Sequence, residues 1–334
     1  MHAFFIILAC TCILVLVISL IDCKINSKSP RNPELAYPLK ESINAGALSV
    51  HSKEGKSRVA TAVLVIKLDN STIEKLARRN NAISKCSWAA DVDHLVFHEV
   101  SKVDTNALAA KSNLSLTPID VSKTFERGRA LSKIRPLKDG LCNSTTLVDF
   151  PTGYRTMCWF WFSEFLHYVE AYDAILRIDD DCYLESAPMW PTSPSPVSAV
   201  IEYWGMDSPN YTSGMFSFFS ELKKTLSQAH YIKKTAPFPK TWVSPYSNVM
   251  LYNANFLRNH VAFSVVADMV QSSRCIWIGR WGDLPLWGAT RNVLNFEISN
   301  LQHFSYIHGS HDNRLVTSPT HGSKLKSLWH MHIT

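Results

Sequence analysis

The 334-residue chain has no internal repeat with a period of roughly 20–50 residues. It also has no glycine- or proline-rich tract, with only 12 Gly and 16 Pro. These absences exclude a solenoid, a collagen-like rod and a low-complexity tail. There is no Cys-X-X-Cys pair and no Cys/His spacing of the zinc-module kind, so no structural zinc domain is expected. A concentrated basic patch is missing too. The 34 Lys and Arg against 28 Asp and Glu give a formal charge of +6, and the clearest basic stretch is the N-terminal third, up to about Lys138. No nucleic-acid partner is expected. Apolar surface, by contrast, is plentiful. With 46% hydrophobic residues, 16 Phe, 10 Trp and 11 Tyr, the chain can bury a large core, and its length suits one globular domain with additions.

Ala3 to Ile21 (AFFIILACTCILVLVISLI) is 19 residues without a charge, enough helix at about 1.5 Å per residue to cross roughly 30 Å of hydrocarbon. A cleaved signal would show a basic start and small residues at its cut. Here only His2 precedes the run and Ser-Leu-Ile-Asp-Cys closes it, so residues 3–21 read as an uncleaved transmembrane signal anchor behind a cytosolic tail of residues 1–2. Lys24, Lys28 and Arg31 on the far side run against the positive-inside rule. Four Asn-X-Ser/Thr sites, at Asn70, Asn113, Asn143 and Asn210, favour a lumenal body and outweigh it. In that setting Cys86, Cys142, Cys158, Cys182 and Cys275 can form at most two bridges, with connectivity open. Residues 22–57, polar and carrying Pro30, Pro33 and Pro38, read as a stem.

From residue 58 to 334 the pattern is α/β. Val59 to Leu68 is an apolar run suited to a strand buried on both faces. Ser71-Thr-Ile-Glu74 has the form of a capping box for a helix over 72–83, and His94 to His98 reads as the second strand of a β-α-β unit. Leu116 to Val121 is a candidate third strand. Tyr154 to Val169 is apolar nearly all round at helical spacing, which predicts a buried helix rather than an aromatic ligand box. Ala174 to Ile178 is a short buried strand, and Asp179-Asp180-Asp181 follows at once. Carboxylates outside the carboxyl end of a strand in a doubly wound sheet can hold Mg²⁺ or Mn²⁺ against a diphosphate. The plainer alternative is an acidic turn.

Further segments stand beside that run: Tyr154-Arg155-X-Met157-Cys158-X-Phe160, then Tyr172-Asp173, Arg177-X-Asp179, and Arg280-Trp281-Gly282-Asp283-X-Pro285. Through them the chain resembles the fungal-type α-1,2-mannosyltransferases, glycosyltransferase family 15, with gaps, from about Val59 to the region of His311. The resemblance implies a GT-A-like mixed, mostly parallel sheet flanked by helices, GDP-mannose as donor, a mannoside or glycan acceptor, Mn²⁺ as cofactor, and retention of configuration. It also implies a type II protein of the Golgi or endoplasmic reticulum membrane. Carried over by position, Asp181 and Asp179 become metal ligands. The late imidazole falls on His311, with His308 second in the run Tyr306-Ile-His-Gly-Ser-His311. Asp283 becomes the acid that takes the acceptor proton, with an ion pair to Arg280 as the alternative. Arg155 and Arg177 become phosphate-facing or else buried structural cations, and Arg280 and Trp281 fall on the donor side.

Departures accompany the matches. The family segment Ser-Asn-Phe-Glu-Ile, whose Glu has been considered as a nucleophile, corresponds to Ser247-Asn248-Val249-Met250-Leu251. Trp159 stands where a basic residue is usual, and Trp287 where a His is expected. Two functions of different class follow: a retaining transferase that works from one face of the sugar without an enzyme nucleophile, or a non-catalytic descendant that binds a nucleotide sugar or glycan.

Overall fold

The computed structural model describes residues 58–317 apart from 68, 100–111, 135–140, 143–149, 194, 201, 205–210, 234–235 and 311–312. The anchor expected over residues 3–21, the stem over 22–57, Asn143, Asn210 and His311 lie outside the described residues. No helix among the described residues is long and apolar enough to cross a membrane.

The apolar run at the start of the body forms β1 (Val59–Val65), buried from Ala60 onward, as a strand covered on both faces requires. Helix α1 (Asn70–Ser84) returns the chain to β2 (Asp93–His98), and β3 (Leu116–Asp120) follows. All three strands are parallel, with Ala60 opposite Asp93 and His94 opposite Leu116. Asp69, not Ser71, caps α1. Its Oδ1 accepts from the Thr72 amide at 2.9 Å, and the helix starts two residues earlier than the capping box predicts. A carboxylate there takes an orphan amide as a charge-assisted acceptor and meets the positive end of the helix dipole. β3 is an edge strand, half open to water and carrying Pro118, a residue that cannot donate to a ladder.

The chain continues through α2 (Ser122–Leu131), α3 (Thr152–Phe162), β4 (Ala174–Ile178), β5 (Cys182–Ser186), β6 (Val197–Ala199) and β7 (Glu202–Trp204). It then forms α4 (Met215–Gln228), β8 (Val243–Pro245), β9 (Val249–Asn253), α5 (Ala254–Asn259), α6 (Val261–Ser273) and α7 (Cys275–Ile278). Helix α8 (Asp283–Leu294) and strands β10 (Ile298–Asn300), β11 (Ser305–His308) and β12 (Arg314–Thr317) complete it. The main sheet has seven strands in the order β10-β6-β9-β4-β1-β2-β3, with a small sheet β12-β11-β5 and a pair β7-β8. In the main sheet β9 is antiparallel to both neighbours, β4 and β6, while the other pairings are parallel.

Because β4 lies on the side of β1 away from β2 and β3, the winding reverses between β1 and β4, where open α/β sheets bind ligands beyond their carboxyl ends. The two strands pair from Val59 and Ala174 to Ala62 and Arg177. Arg79, from α1, fills the split beyond. Its Nε donates to the Ile178 carbonyl at 2.9 Å and its Nη2 to the Ala62 carbonyl at 3.3 Å. Buried backbone carbonyls need such donors where a ladder ends. Burial lowers the Arg79 pKa to about 10, with Asp179 and Asp180 opposing the fall.

Helix α3 is shorter than its sequence pattern predicts. It stops at Phe162 and gives way to a 3₁₀ turn over Glu164–His167. Its aromatic residues Trp159, Phe160, Trp161 and Phe162 are all buried and pack with Met250 and Tyr252 of β9 in one core. Leu176, Ile178, Val249 and Leu251 belong to a second core with Trp88 and Tyr306. Alternate residues of the central strands thus serve opposite faces. Helix α8 approaches β8 closely through Gly288, where a Cβ would come within 2.1 Å of Ser244 Oγ. That contact sets the seat of the helix whose first residue is Asp283. Cys142 and Cys275 form a disulfide with Cα atoms 5.7 Å apart, whereas Cys86, Cys158 and Cys182 are thiols.

Candidate metal and donor site

The end of β4 carries two carboxylates with different surroundings. Arg177, 2% exposed, donates from Nε to Asp179 Oδ1 at 2.7 Å and from Nη2 to Asp179 Oδ2 at 3.0 Å. Its Nη1 donates to Asp283 Oδ2, and its guanidinium lies over the Trp161 ring, 4.7 Å from the centroid. One buried cation therefore holds two acids from distant parts of the chain. Burial works against its charge, but Asp179 and Asp283 raise its pKa well above the ordinary value. For Asp179 burial is the stronger influence and raises the carboxyl, with Arg177 opposing.

This pairing bears on several sequence expectations. Arg177 is buried and bonded to two carboxylates, the arrangement of a structural cation. Asp283 pairs with Arg177 rather than with Arg280. Both oxygens of Asp179 are engaged by a guanidinium, so Asp179 stands outside the group of metal-ligating side chains that the structure assembles.

That group forms around Asp181. His308 Nε2 lies 3.5 Å from Asp181 Oδ2, close to the separation of roughly 3.0–3.5 Å that two ligands about 2.1 Å from one cation would have. Ser310 donates to the same oxygen, and the Gly309 amide donates to the Asp181 carbonyl at 2.7 Å. Burial works to raise the Asp181 carboxyl, yet the hydrogen bonds of His308 and Ser310, together with the charges of His308 and Lys75, hold it well below the usual range. The antiparallel register of β11 with β5, which sets His308 opposite Cys182, delivers the imidazole. One carboxylate and one imidazole suit a divalent cation of the Mn²⁺ to Zn²⁺ type. His308, the second choice from sequence, is the imidazole placed here.

Asn248 joins the two arms. Its Nδ2 donates to Asp179 Oδ2 at 3.2 Å and lies 3.5 Å from His308 Nε2, while its carbonyl accepts from the Asp179 amide at 3.0 Å. Tyr246 approaches the other ring nitrogen, with its hydroxyl 3.2 Å from His308 Nδ1. Asp180, half-buried, is pushed up to about 6 by burial and by its charged neighbours Asp181 and Asp179.

The remaining predicted donor-side residues have the following partners. Arg155 donates to the Trp277 carbonyl and to Thr152 Oγ1, tying α3 to α7. Arg280 sits among the rings of Phe150, Tyr211 and Tyr154, with its guanidinium 3.8 Å from the Phe150 centroid and 4.2 Å from that of Tyr211. Trp281 is a core residue whose Nε1 donates to the Ser213 carbonyl at 3.1 Å and whose ring packs on Phe218 and Phe219. Met250 is fully buried and lies directly across the ladder from Arg177.

Sequence reasoning missed Asn248, Ser310, Cys182 and Arg79 as members of this region. Asn248 and Ser310 lie inside runs that were already informative. Arg79 reads as an ordinary surface residue of an amphipathic helix, and nothing local marks it as buried.

No protein-family model matches the chain, and no curated protein matches it. Among solved structures, core-mannan synthase A (CmsA/Ktr4) from Aspergillus fumigatus in its Mn/GDP form superposes with a TM-score of 0.56 at 12% identity, covering 78% of this chain and 76% of that one. The mannosyltransferase Ktr4p from S. cerevisiae, in complex with GDP, gives a TM-score of 0.55 at 13% identity, covering 76% of this chain and 71% of that one. At such identity the fold is what is shared, and it is the fold of the fungal mannosyltransferases that the sequence resembles.

Proposed function

We propose that this chain is a metal-dependent, retaining glycosyltransferase that moves mannose from GDP-mannose, in α-1,2 linkage, to a mannoside or glycoprotein glycan. The observation that carries this reading is the meeting of Asp181 with His308 beyond the carboxyl end of β4, at the reversal of the sheet. The likeness to structures holding GDP and manganese supports it. Asp181 and His308 would hold the cation, Mn²⁺ on the resemblance, and Asn248 and Tyr246 would orient the imidazole. Bound there, a divalent cation neutralises a diphosphate and makes it a better leaving group.

Arg177 holds Asp283 through one oxygen, Oδ2, which leaves the carboxylate aimed by a fixed partner. Asp283 Oδ1 is the atom assigned to take the acceptor proton. Met250 offers no nucleophile, so attack and departure on the same face of the sugar fit the site better than a covalent intermediate. Such a route depends on alignment and on stabilising an oxocarbenium-like charge. A second reading, a non-catalytic sugar-nucleotide-binding protein, is favoured by one observation: the position of the family Glu is closed by a fully buried Met250. Nucleotide sugars screened with the purified full chain and Mn²⁺ separate the two. Metal-dependent turnover of one donor supports the transferase, and metal-dependent binding without turnover of any donor supports the binding protein.

The type II topology, with residues 3–21 as anchor in a Golgi or endoplasmic reticulum membrane, belongs to the same proposal. Its supports are the Cys142–Cys275 disulfide, which fits an oxidising compartment, and the exposure of Asn70 and Asn113. Glycosidase treatment should increase the gel mobility of the full-length protein. Unchanged mobility, together with protease access to the body in sealed microsomes, would place the body in the cytosol.

A further inference from the structure

A sulfur atom stands beside the carboxylate and the imidazole at the start of β5. Ligand atoms of Asp181, Cys182 and His308 all lie within 4.8 Å of one another, and this is the only such group of three among the described residues. Cys182 Sγ is 3.7 Å from Asp181 Oδ1. The antiparallel ladder puts it there: His308 and Cys182 are direct cross-strand partners, and such partners hold their Cβ atoms about 4.5–5.5 Å apart. Asp181 is the adjoining residue of the same strand end. All three side chains are buried, which keeps bulk water from competing for the same positions.

We propose that Cys182 is a third protein ligand of this centre, so that the Asp181–Cys182–His308 set binds thiophilic cations such as Zn²⁺ and Co²⁺ far more tightly than Mn²⁺. The inference rests on the reading of Asp181 and His308 as a metal site. A carboxylate serves Mn²⁺ well and imidazole serves the whole series, but a thiolate adds bond strength chiefly for the softer ions. Three protein ligands of N, O and S type leave a coordination position open, as in catalytic rather than closed structural zinc sites. On binding, the thiol proton leaves to solvent and the sulfur donates an electron pair to the cation, with no oxidant or reductant involved. Zinc-module spacing is absent from the sequence because the ligands come together through strand pairing, with Cys182 and His308 126 residues apart.

Any site of nitrogen, oxygen and sulfur ligands prefers Zn²⁺ to Mn²⁺ in some degree, so the test must see the sulfur. Co²⁺ titrated into the purified full chain should give a thiolate-to-cobalt charge-transfer band alongside its ligand-field bands. In Cys182→Ser the charge-transfer band should vanish and Zn²⁺ affinity should fall at least as far as the loss of an outer partner would cause, about 10–100-fold, with Mn²⁺ affinity nearly unchanged. If Cys182→Ser does not fold, Cys182→Ala replaces it, and the parent spectrum decides by itself. Ligand-field bands with no charge-transfer band would overturn the role of Cys182 and leave the Asp181–His308 centre standing. Absence of binding for Co²⁺, Zn²⁺ and Mn²⁺ alike would overturn both.

Discussion

Asp179 and Asp181 stand two residues apart at the end of one strand, yet they have opposite circumstances. Asp179 turns to Arg177, which takes both its oxygens and also grips Asp283 from the first turn of α8. Asp181 turns to the small sheet, where an imidazole and a hydroxyl are its partners. In the first arrangement a fixed internal cation engages both oxygens of Asp179, which behaves as scaffold, but only one oxygen of Asp283, whose Oδ1 stays outside that pairing. The second is built from neutral or titratable groups that can exchange partners, as a metal ligand must. A DxD-like run read as one motif is thus two devices, separated by which side chain meets each acid.

The largest expected effect strikes the scaffold. Arg177→Leu leaves two buried carboxylates without their cation, and should cost about 3–5 kcal/mol in denaturant unfolding. Adding Asp179→Asn and Asp283→Asn to Arg177→Leu should recover much of that loss. If the single substitution is mild, the two arms do not differ as described. Next comes the exchangeable arm. His308→Ala should weaken Mn²⁺ binding by more than Asn248→Ala, which as an outer partner should cost about 10–100-fold. Equal and small effects in both would dissolve the contrast from the other side.

The two arms were unequally legible in the sequence. The apolar run of β1, the strand Ala174–Ile178 and the buried aromatic helix follow from hydrophobic periodicity, and the acids at the strand end follow from position. The partners do not. Arg177 and Asp283 are 106 residues apart, and Asp181 and His308 are 127 apart. Only the crossover and the β11–β5 register bring them together, and neither leaves a local mark. The capping residue of α1 slipped for a similar reason: Asp69 and Ser71 are both competent caps, and the choice lies in the backbone angle at the strand exit.

Smaller effects sharpen the comparison. Asp180, between the two arms, has its folded pKa raised to about 6 from an ordinary 3.8. A raised carboxyl contributes stability that is complete below the unfolded value and is lost as the pH rises through the folded one. In metal-free protein Asp180→Asn should therefore be stabilising above pH about 6, by about 1–2 kcal/mol after allowance for partial solvent access, with no gain below pH about 4. A thermal midpoint followed against pH in both proteins checks the sign. The smallest effect is expected for Met250→Glu. If the chemistry proceeds on one face of the sugar, restoring an acid opposite Arg177 should change turnover by less than about tenfold, or 1.4 kcal/mol. Activity that appears only in Met250→Glu would mark the parent as a binding protein.

The division of labour between Asp179 and Asp181 is tested most directly by calorimetric titration of GDP into full-length parent, Asp181→Asn and Asp179→Asn, each with and without Mn²⁺. The parent should bind GDP more tightly with Mn²⁺ present. Asp181→Asn should lose that enhancement, and Asp179→Asn should keep it. The reverse pattern, with Mn²⁺-dependent binding lost in Asp179→Asn and intact in Asp181→Asn, would contradict the account.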